Sequence, residues 1–253
     1  MNLQARGGEA PSPDPTTGPV EAEAVRRMFD GIARHYDLLN TLLSAGRDAA
    51  WRRRAVHEAS LRPGDTALDV CCGTGALSRG LLAAVSPDGR VLGVDFSEGM
   101  LLEARRRVPG VDFALGDATR LESVDDQSVD AVTNAFGLRN VSDRRTALRA
   151  AYRVLRPGGR VVILEFSQIR APVIGRLYGW YLTRLLPRLG RLLNPHSQAY
   201  SYLPASIAVY PAASEVSGWL QEAGFQHVRL LRMTAGVVTL HVATRPATQA
   251  WPG

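Results

Sequence analysis

The spacing of apolar residues changes twice along the chain. Residues 1–20 are rich in Pro, Gly, Ser and Thr and have almost no large apolar side chains. Such a segment buries too little surface to offset its ordering entropy, so a disordered N-terminal tail is expected there. From residue 21 the spacing becomes helical. Val25, Met28, Phe29 and Ile32 recur three or four apart, Leu38, Leu39, Leu42 and Leu43 continue the pattern, and a further helix is expected over 51–59. The period then shortens. Residues 66–71, 90–95, 111–115, 128–134 and 160–166 are short runs of Val, Leu and Ile bounded by Gly, Pro, Asp or Ser, which predict strands. Helical stretches at 76–85, 99–108 and 145–155 separate them.

Strands alternating with helices imply an α/β fold, with a mostly parallel sheet covered on both faces. Beyond a helix at 213–223, residues 228–233 and 237–243 read as two strands joined by a turn at Thr234-Ala235-Gly236. This hairpin would bring the sheet to seven strands, one of them antiparallel. Residues 167–212 fit neither pattern and are expected to form a cap inserted into one domain spanning 21–245, with a C-terminal tail at 246–253. Arg156-Pro157-Gly158-Gly159 is expected to make a sharp structural turn before the fifth strand.

Of the 253 residues, 45% are hydrophobic and 21% charged, as in an ordinary globular protein. No apolar run approaches the roughly 20 residues of a membrane-spanning helix. No basic start followed by an apolar stretch marks a signal peptide, so a cytoplasmic protein is expected. The net charge of +6 comes from a chain whose 30 basic residues are all arginine. Without an aromatic or motif signature beside it, this charge does not indicate nucleic-acid binding. The lack of lysine excludes Schiff-base chemistry. Cys71 and Cys72 are adjacent, which suits neither an ordinary disulfide nor a chelating site, and five scattered histidines show no ligand spacing. No metal is expected.

The first strand runs into Cys71-Cys72-Gly73-Thr74-Gly75. In an open parallel sheet, ligands bind beyond the carboxyl ends of the strands, and glycines there let a ligand approach the backbone. Two details separate this loop from a dinucleotide fingerprint. Ser78 stands where a third glycine would fall, and Asp69 lies within the strand just before the loop. In a methyltransferase such a carboxylate orients the loop and helps to hold the methionine end of S-adenosylmethionine. Asp95 closes the second strand and can accept both ribose hydroxyls. Asp117, after the third strand, can accept from the adenine amino group, while the Ala118 N–H can donate to a ring nitrogen. Asp69, Gly73, Thr74, Gly75, Asp95, Asp117 and Ala118 are therefore the expected cofactor residues. The expected fold is the class I, Rossmann-like methyltransferase fold with S-adenosyl-L-methionine as cofactor.

Four further stretches resemble one family, the quinone-biosynthesis C-methyltransferases that make menaquinone and ubiquinone. They are Phe29-Asp30-Gly31-Ile32-Ala33-Arg34-His35-Tyr36-Asp37-Leu38-Leu39-Asn40 with Trp51-Arg52; Phe136-Gly137-Leu138-Arg139-Asn140-Val141; Leu164-Glu165-Phe166-Ser167; and Tyr202-Leu203-Pro204-Ala205-Ser206-Ile207 with Ala223-Gly224-Phe225 and 236–241. The likeness covers 25–244. Ala76, Leu121-Glu122-Ser123 and Ala135 depart from the family pattern.

The resemblance implies methylation of a demethylmenaquinol at the aromatic carbon ortho to a ring hydroxyl, the last step of menaquinone formation. It also implies cofactor contacts at Thr74, Asp95, Asp117 and Ala118. A benzoquinol, a phytyl naphthoquinol or another phenol remains an alternative acceptor, and a non-catalytic binding protein is a third reading. Carbon methylation needs a stabilised naphtholate. Arg139 is the first candidate for that role, directly or through water, with Asn140 as a hydrogen-bond partner and Tyr36, Asp37 and His241 as candidates for the proton path. The acceptor's isoprenoid tail suggests membrane contact. Residues 171–193 mix apolar side chains with Arg176, Arg184, Arg188 and Arg191 and contain no acid, so peripheral attachment at the inner face of the cell membrane or a cap over the pocket would each suit them. A homo-oligomer is compatible with the sequence, which does not define its size.

Overall fold

A computed structural model describes residues 19–33, 36–44, 46–167 and 199–247, with Arg176, Gly179, Trp180, Tyr181 and Arg184 between them. The expected tails lie almost wholly outside these residues, as does most of the expected cap. Three helices open the fold: α1 (Pro19–Ile32), α2 (Tyr36–Leu43) and α3 (Asp48–Ala59). Strands and helices then alternate as β1 (Thr66–Val70), α4 (Ser78–Val85), β2 (Arg90–Asp95), α5 (Glu98–Arg107), β3 (Asp112–Leu115), β4 (Val129–Ala135), α6 (Arg144–Val154) and β5 (Leu155–Phe166). They are followed by α7 (Ala199–Ala208), α8 (Ala213–Glu222), β6 (Gln226–Met233) and β7 (Val238–Thr244).

The seven strands form one sheet in the order β3-β2-β1-β4-β5-β7-β6. β7 runs antiparallel to both of its neighbours, and the first five strands pair in parallel. This is the expected mixed sheet with one reversed strand. Alternate residues point to opposite faces. On β5, Val162, Leu164 and Phe166 join a core with Trp51, Leu81 and Leu240 beneath α3 and α4. Val161 and Ile163 join Leu148, Val154 and Leu220 beneath α6 and α8. A smaller apolar cluster of Val25, Phe29, Ile32, Met100 and Tyr202 joins α1 to α5 and α7.

One expectation is corrected here. Arg156-Pro157-Gly158-Gly159 is not a turn ahead of the fifth strand but a bulge inside it. Val129 pairs with Leu155 and Ala131 with Arg160, so four residues stand opposite one. Arg156 grips the Asp130 carboxylate at 2.8 and 2.7 Å, and the Arg245 backbone pairs with Gly158 and Gly159. The bulge thus stays hydrogen-bonded to the sheet. Among the described residues, no helix is long and apolar enough to cross a membrane.

Candidate active site

The cleft opens at the carboxyl ends of β1, β2 and β4, where the strand order reverses between β1 and β4. Its volume is about 440 Å³, within the range of a small-molecule site. The glycine loop takes left-handed backbone angles at Gly73 (φ +54°) and Gly75 (φ +78°), which glycine adopts without a Cβ clash.

Asp95 ends β2 at the cleft wall and is 6% exposed. Its Oδ2 accepts from the Gly73 N–H at 2.8 Å and its Oδ1 from the Ser97 N–H at 3.0 Å. Burial pushes this carboxyl up to about 6 despite those donors. Asp117 and Ala118 line the same end of the cleft. Asp117 Oδ1 accepts from the Thr119 N–H at 2.8 Å, which leaves Oδ2 for another donor. Val94, Phe96, Met100 and Leu115 supply the apolar wall. This set fits a nucleoside: one half-sequestered carboxylate for a diol, a second for an amino group, and apolar surface for a base.

Other expected cofactor residues sit behind the wall. Asp69 is 1% exposed; it accepts from Ser78 Oγ at 2.6 Å and Thr133 Oγ1 at 3.0 Å, tying β1 to α4 and β4. Burial raises its carboxyl to about 6 as well. Thr74 turns its hydroxyl away from the cleft, to Asp37 Oδ1 at 2.7 Å, and Asp37 also pairs with Arg107. Gly75 packs under the loop near Val108 and Phe113.

Tyr36 comes over the loop, its ring close to Gly73. Phe29 stands at the centre of this cover, meeting Tyr36 edge-on at 5.8 Å, Phe96 at 6.0 Å and Tyr202 at 6.5 Å. Asp30 holds α1 down by accepting from Ser97 Oγ at 2.6 Å and the Gly99 N–H at 3.0 Å. In the sequence Asp30 stands out only as part of Phe29-Asp30-Gly31, because its partners lie nearly 70 residues away.

The far end of the cleft is aromatic. Phe136 closes β4 with φ +61°, a costly angle for a bulky side chain. Its ring stacks 4.7 Å from Phe166. Gly137 packs against Cys71, so the cleft floor there is backbone. Asn140 lines the cleft, and Arg139 lies behind it, 2% exposed. Arg139 Nη1 meets Glu165 Oε1 at 2.8 Å and the Phe136 carbonyl, and its backbone N–H reaches Glu165 Oε2 at 3.2 Å. Burial is the largest single influence and opposes the guanidinium charge, but Glu165 and the nearby Tyr36 and Tyr202 phenols together outweigh it and hold the group above its usual range.

His241 is fully buried in β7, with Nε2 against the Ala213 carbonyl at 2.9 Å, so the structure does not bring it to the cleft. Cys71 lines the cleft, but burial pushes its thiol upward, away from the reactive thiolate.

A family model described as the ubiE/COQ5 methyltransferase family matches residues 18–245. The chain belongs to this family. A Clavibacter sepedonicus protein named demethylmenaquinone methyltransferase is 43% identical over 226 residues, covering 88% of this chain and 91% of that one. A Beutenbergia cavernae protein of the same name is 44% identical, covering 89% and 92%. A Thermotoga maritima structure described as an S-adenosylmethionine-dependent methyltransferase, possible histamine N-methyltransferase, superposes with a TM-score of 0.62 at 20% identity, covering 87% and 98%; at that identity it shows the shared fold. This family member is therefore a methyltransferase, and S-adenosylmethionine is its cofactor. The mixed sheet and the cleft at its switch point are the frame on which that chemistry sits.

Proposed function

We propose that this methyltransferase converts a demethylmenaquinol to menaquinol, methylating the ring carbon ortho to a hydroxyl. The observation that carries this reading is the continuity of one cleft, from the Asp95 carboxylate to the aromatic end at Phe136, Asn140 and Tyr202. The relatives named for that acceptor support it.

S-adenosylmethionine, when bound, supplies an electrophilic methyl group on a sulfonium. Asp95 accepts the ribose hydroxyls, Asp117 the adenine amino group, and the Ala118 N–H donates to the ring. The Gly73-Thr74-Gly75 backbone approaches the methionine end, and Asp69 steadies that loop from beneath. Tyr36 covers the loop and excludes water. At the acceptor end, loss of a ring hydroxyl proton pushes electron density onto the ortho carbon. The cleft would hold that carbon toward the methyl group that S-adenosylmethionine would supply, with Tyr36 placed to carry the ring proton away. Asn140 holds the ring oxygen by hydrogen bond, and Arg139, paired with Glu165 behind Asn140, acts on the oxyanion through the field of that ion pair. Of the three candidates for the proton path, Tyr36 alone lines the cleft.

The test is methyl transfer from S-adenosylmethionine to a chemically reduced short-tail demethylmenaquinone, read by mass. Transfer to that quinol is expected. Turnover of a different phenol with none of the quinol would overturn the substrate.

The isoprenoid tail of this substrate extends the proposal to reversible attachment at an anionic membrane. Residues 171–193 interleave arginine with apolar side chains and carry no acid. Within them Arg176, Trp180 and Arg184 are exposed and four residues apart. Flotation with anionic vesicles at low salt is the check, and failure to float would remove the membrane.

A further inference from the structure

Tyr202 enters the cleft from α7, and Asn140 from the short turn Leu138–Asn140 that follows β4. The Tyr202 hydroxyl donates to Asn140 Oδ1 at 2.9 Å. A side-chain amide has one end that accepts and one that donates. With Oδ1 held by Tyr202, Nδ2 is the end left to meet a ligand. The reversed amide would direct Nδ2 at the phenol and leave the Tyr202 O–H without this acceptor, at a residue only 2% exposed.

We infer that Tyr202 is a positioning residue: it fixes the Asn140 amide with Nδ2 toward the acceptor oxygen and so tunes the cleft for an oxygen that accepts hydrogen bonds, above all a phenolate. The inference rests on the quinol reading for the identity of that oxygen. Two further features support it. Burial raises the Tyr202 phenol above its usual range, so its donor proton is retained throughout neutral pH. The ring is also wedged edge-on against Phe29, so the hydroxyl is aimed by packing before a ligand arrives. A flipped amide would present Oδ1 to the naphtholate and repel the charge on which carbon methylation depends.

A double-mutant cycle on methyl transfer to the short-tail quinol decides the matter. Tyr202→Phe keeps the ring against Phe29 and removes the hydroxyl. It is expected to lower kcat by about 10- to 100-fold, with affinity for S-adenosylhomocysteine within about twofold of wild type. In an Asn140→Ala background the same change should have no further effect. Losses that multiply would overturn the inference, because Tyr202 would then act independently of the amide. Asn140→Asp keeps an acceptor for Tyr202 but has no donor, and is expected to be as slow as Asn140→Ala. Melting curves report whether Tyr202→Phe folds. If it does not, wild-type turnover by Asn140→Asp would by itself overturn the inference. If the wild-type chain leaves the quinol unmethylated, the substrate reading fails separately. The inference is then read from binding with S-adenosylhomocysteine present: wild type should prefer 1-naphthol to naphthalene and Tyr202→Phe should not. Equal preference in the two proteins would overturn it.

Discussion

Thr74, in the middle of the glycine loop, gives its hydroxyl to Asp37 on α2 at 2.7 Å. The glycine loop is thereby bonded to the helix that covers it. Asp37 is also held by Arg107 at the end of α5, so α2, the loop and α5 meet at one carboxylate.

Thr74→Val removes this bond with little change in side-chain volume. A hydrogen bond to a charged group is worth about 1.5–3 kcal/mol, and this one ties the glycine loop to the helix that covers it. Affinity for S-adenosylhomocysteine should therefore fall by about tenfold or more in calorimetric titration. Unchanged affinity would show that the cover closes without this bond.

Asp30 makes the parallel attachment for α1, through Ser97 and the Gly99 N–H at the start of α5. In Asp30→Ala, α1 should open more often, exposing Arg26 and Arg27 to trypsin. Cleavage there should quicken in the variant and slow again with S-adenosylhomocysteine bound. Equal cleavage rates would mean that the apolar contacts of Val25 and Phe29 hold α1 unaided.

In its proposed role, Asp95 links pH to both binding and stability. Its carboxyl is raised by burial to about 6, from an ordinary 3.8. Between those values the folded chain holds more protons than the unfolded chain. Stability from this group is therefore greatest at low pH and falls as pH rises toward 6, by about 3 kcal/mol. Ligand hydroxyls require the ionised form, so cofactor affinity should drop as pH falls through about 6. Binding near that pH should release a proton, measurable as a buffer-dependent heat. Asp95→Asn should be more stable than wild type above pH 6 and bind the cofactor poorly. A pH-independent affinity between 5 and 7 would contradict the assigned role.

Arg139 and Glu165 are nearly solvent-free. Removing one partner of such a pair typically costs about 3–5 kcal/mol, because the other charge is stranded. Arg139→Ala should therefore lower the denaturant midpoint sharply as well as turnover. Arg139→Met with Glu165→Leu should recover much of that stability while leaving turnover low. Full activity in the double variant would exclude the guanidinium from the chemistry.

Much of the frame was legible in the chain because it depends on local period. The Val- and Leu-rich runs and the intervening amphipathic stretches locate β1 to β4, and Asp95 is found by its place at a strand end. Short-range bulk properties misread Arg156-Pro157-Gly158-Gly159, since Pro and Gly signal a turn whether or not a distant Arg245 and Asp130 hold the segment in the sheet. The site was less legible for the same reason. No local pattern names Glu165, on the neighbouring strand β5, as the acid that pairs with Arg139. The partner of Thr74, Asp37, lies 37 positions away on α2, where no local pattern joins the two. Tyr202 was visible only as part of a motif, and its hydrogen bond to Asn140 depends on how α7 returns to the sheet.

Phe29 touches Tyr36 on the nucleoside side and Tyr202 on the acceptor side. One ring therefore braces both ends of the cleft. The expected consequence is a coupling between the two ends: S-adenosylhomocysteine bound beside Tyr36 should tighten the hold on 1-naphthol beside Tyr202, and equal naphthol affinity with and without it would deny the link.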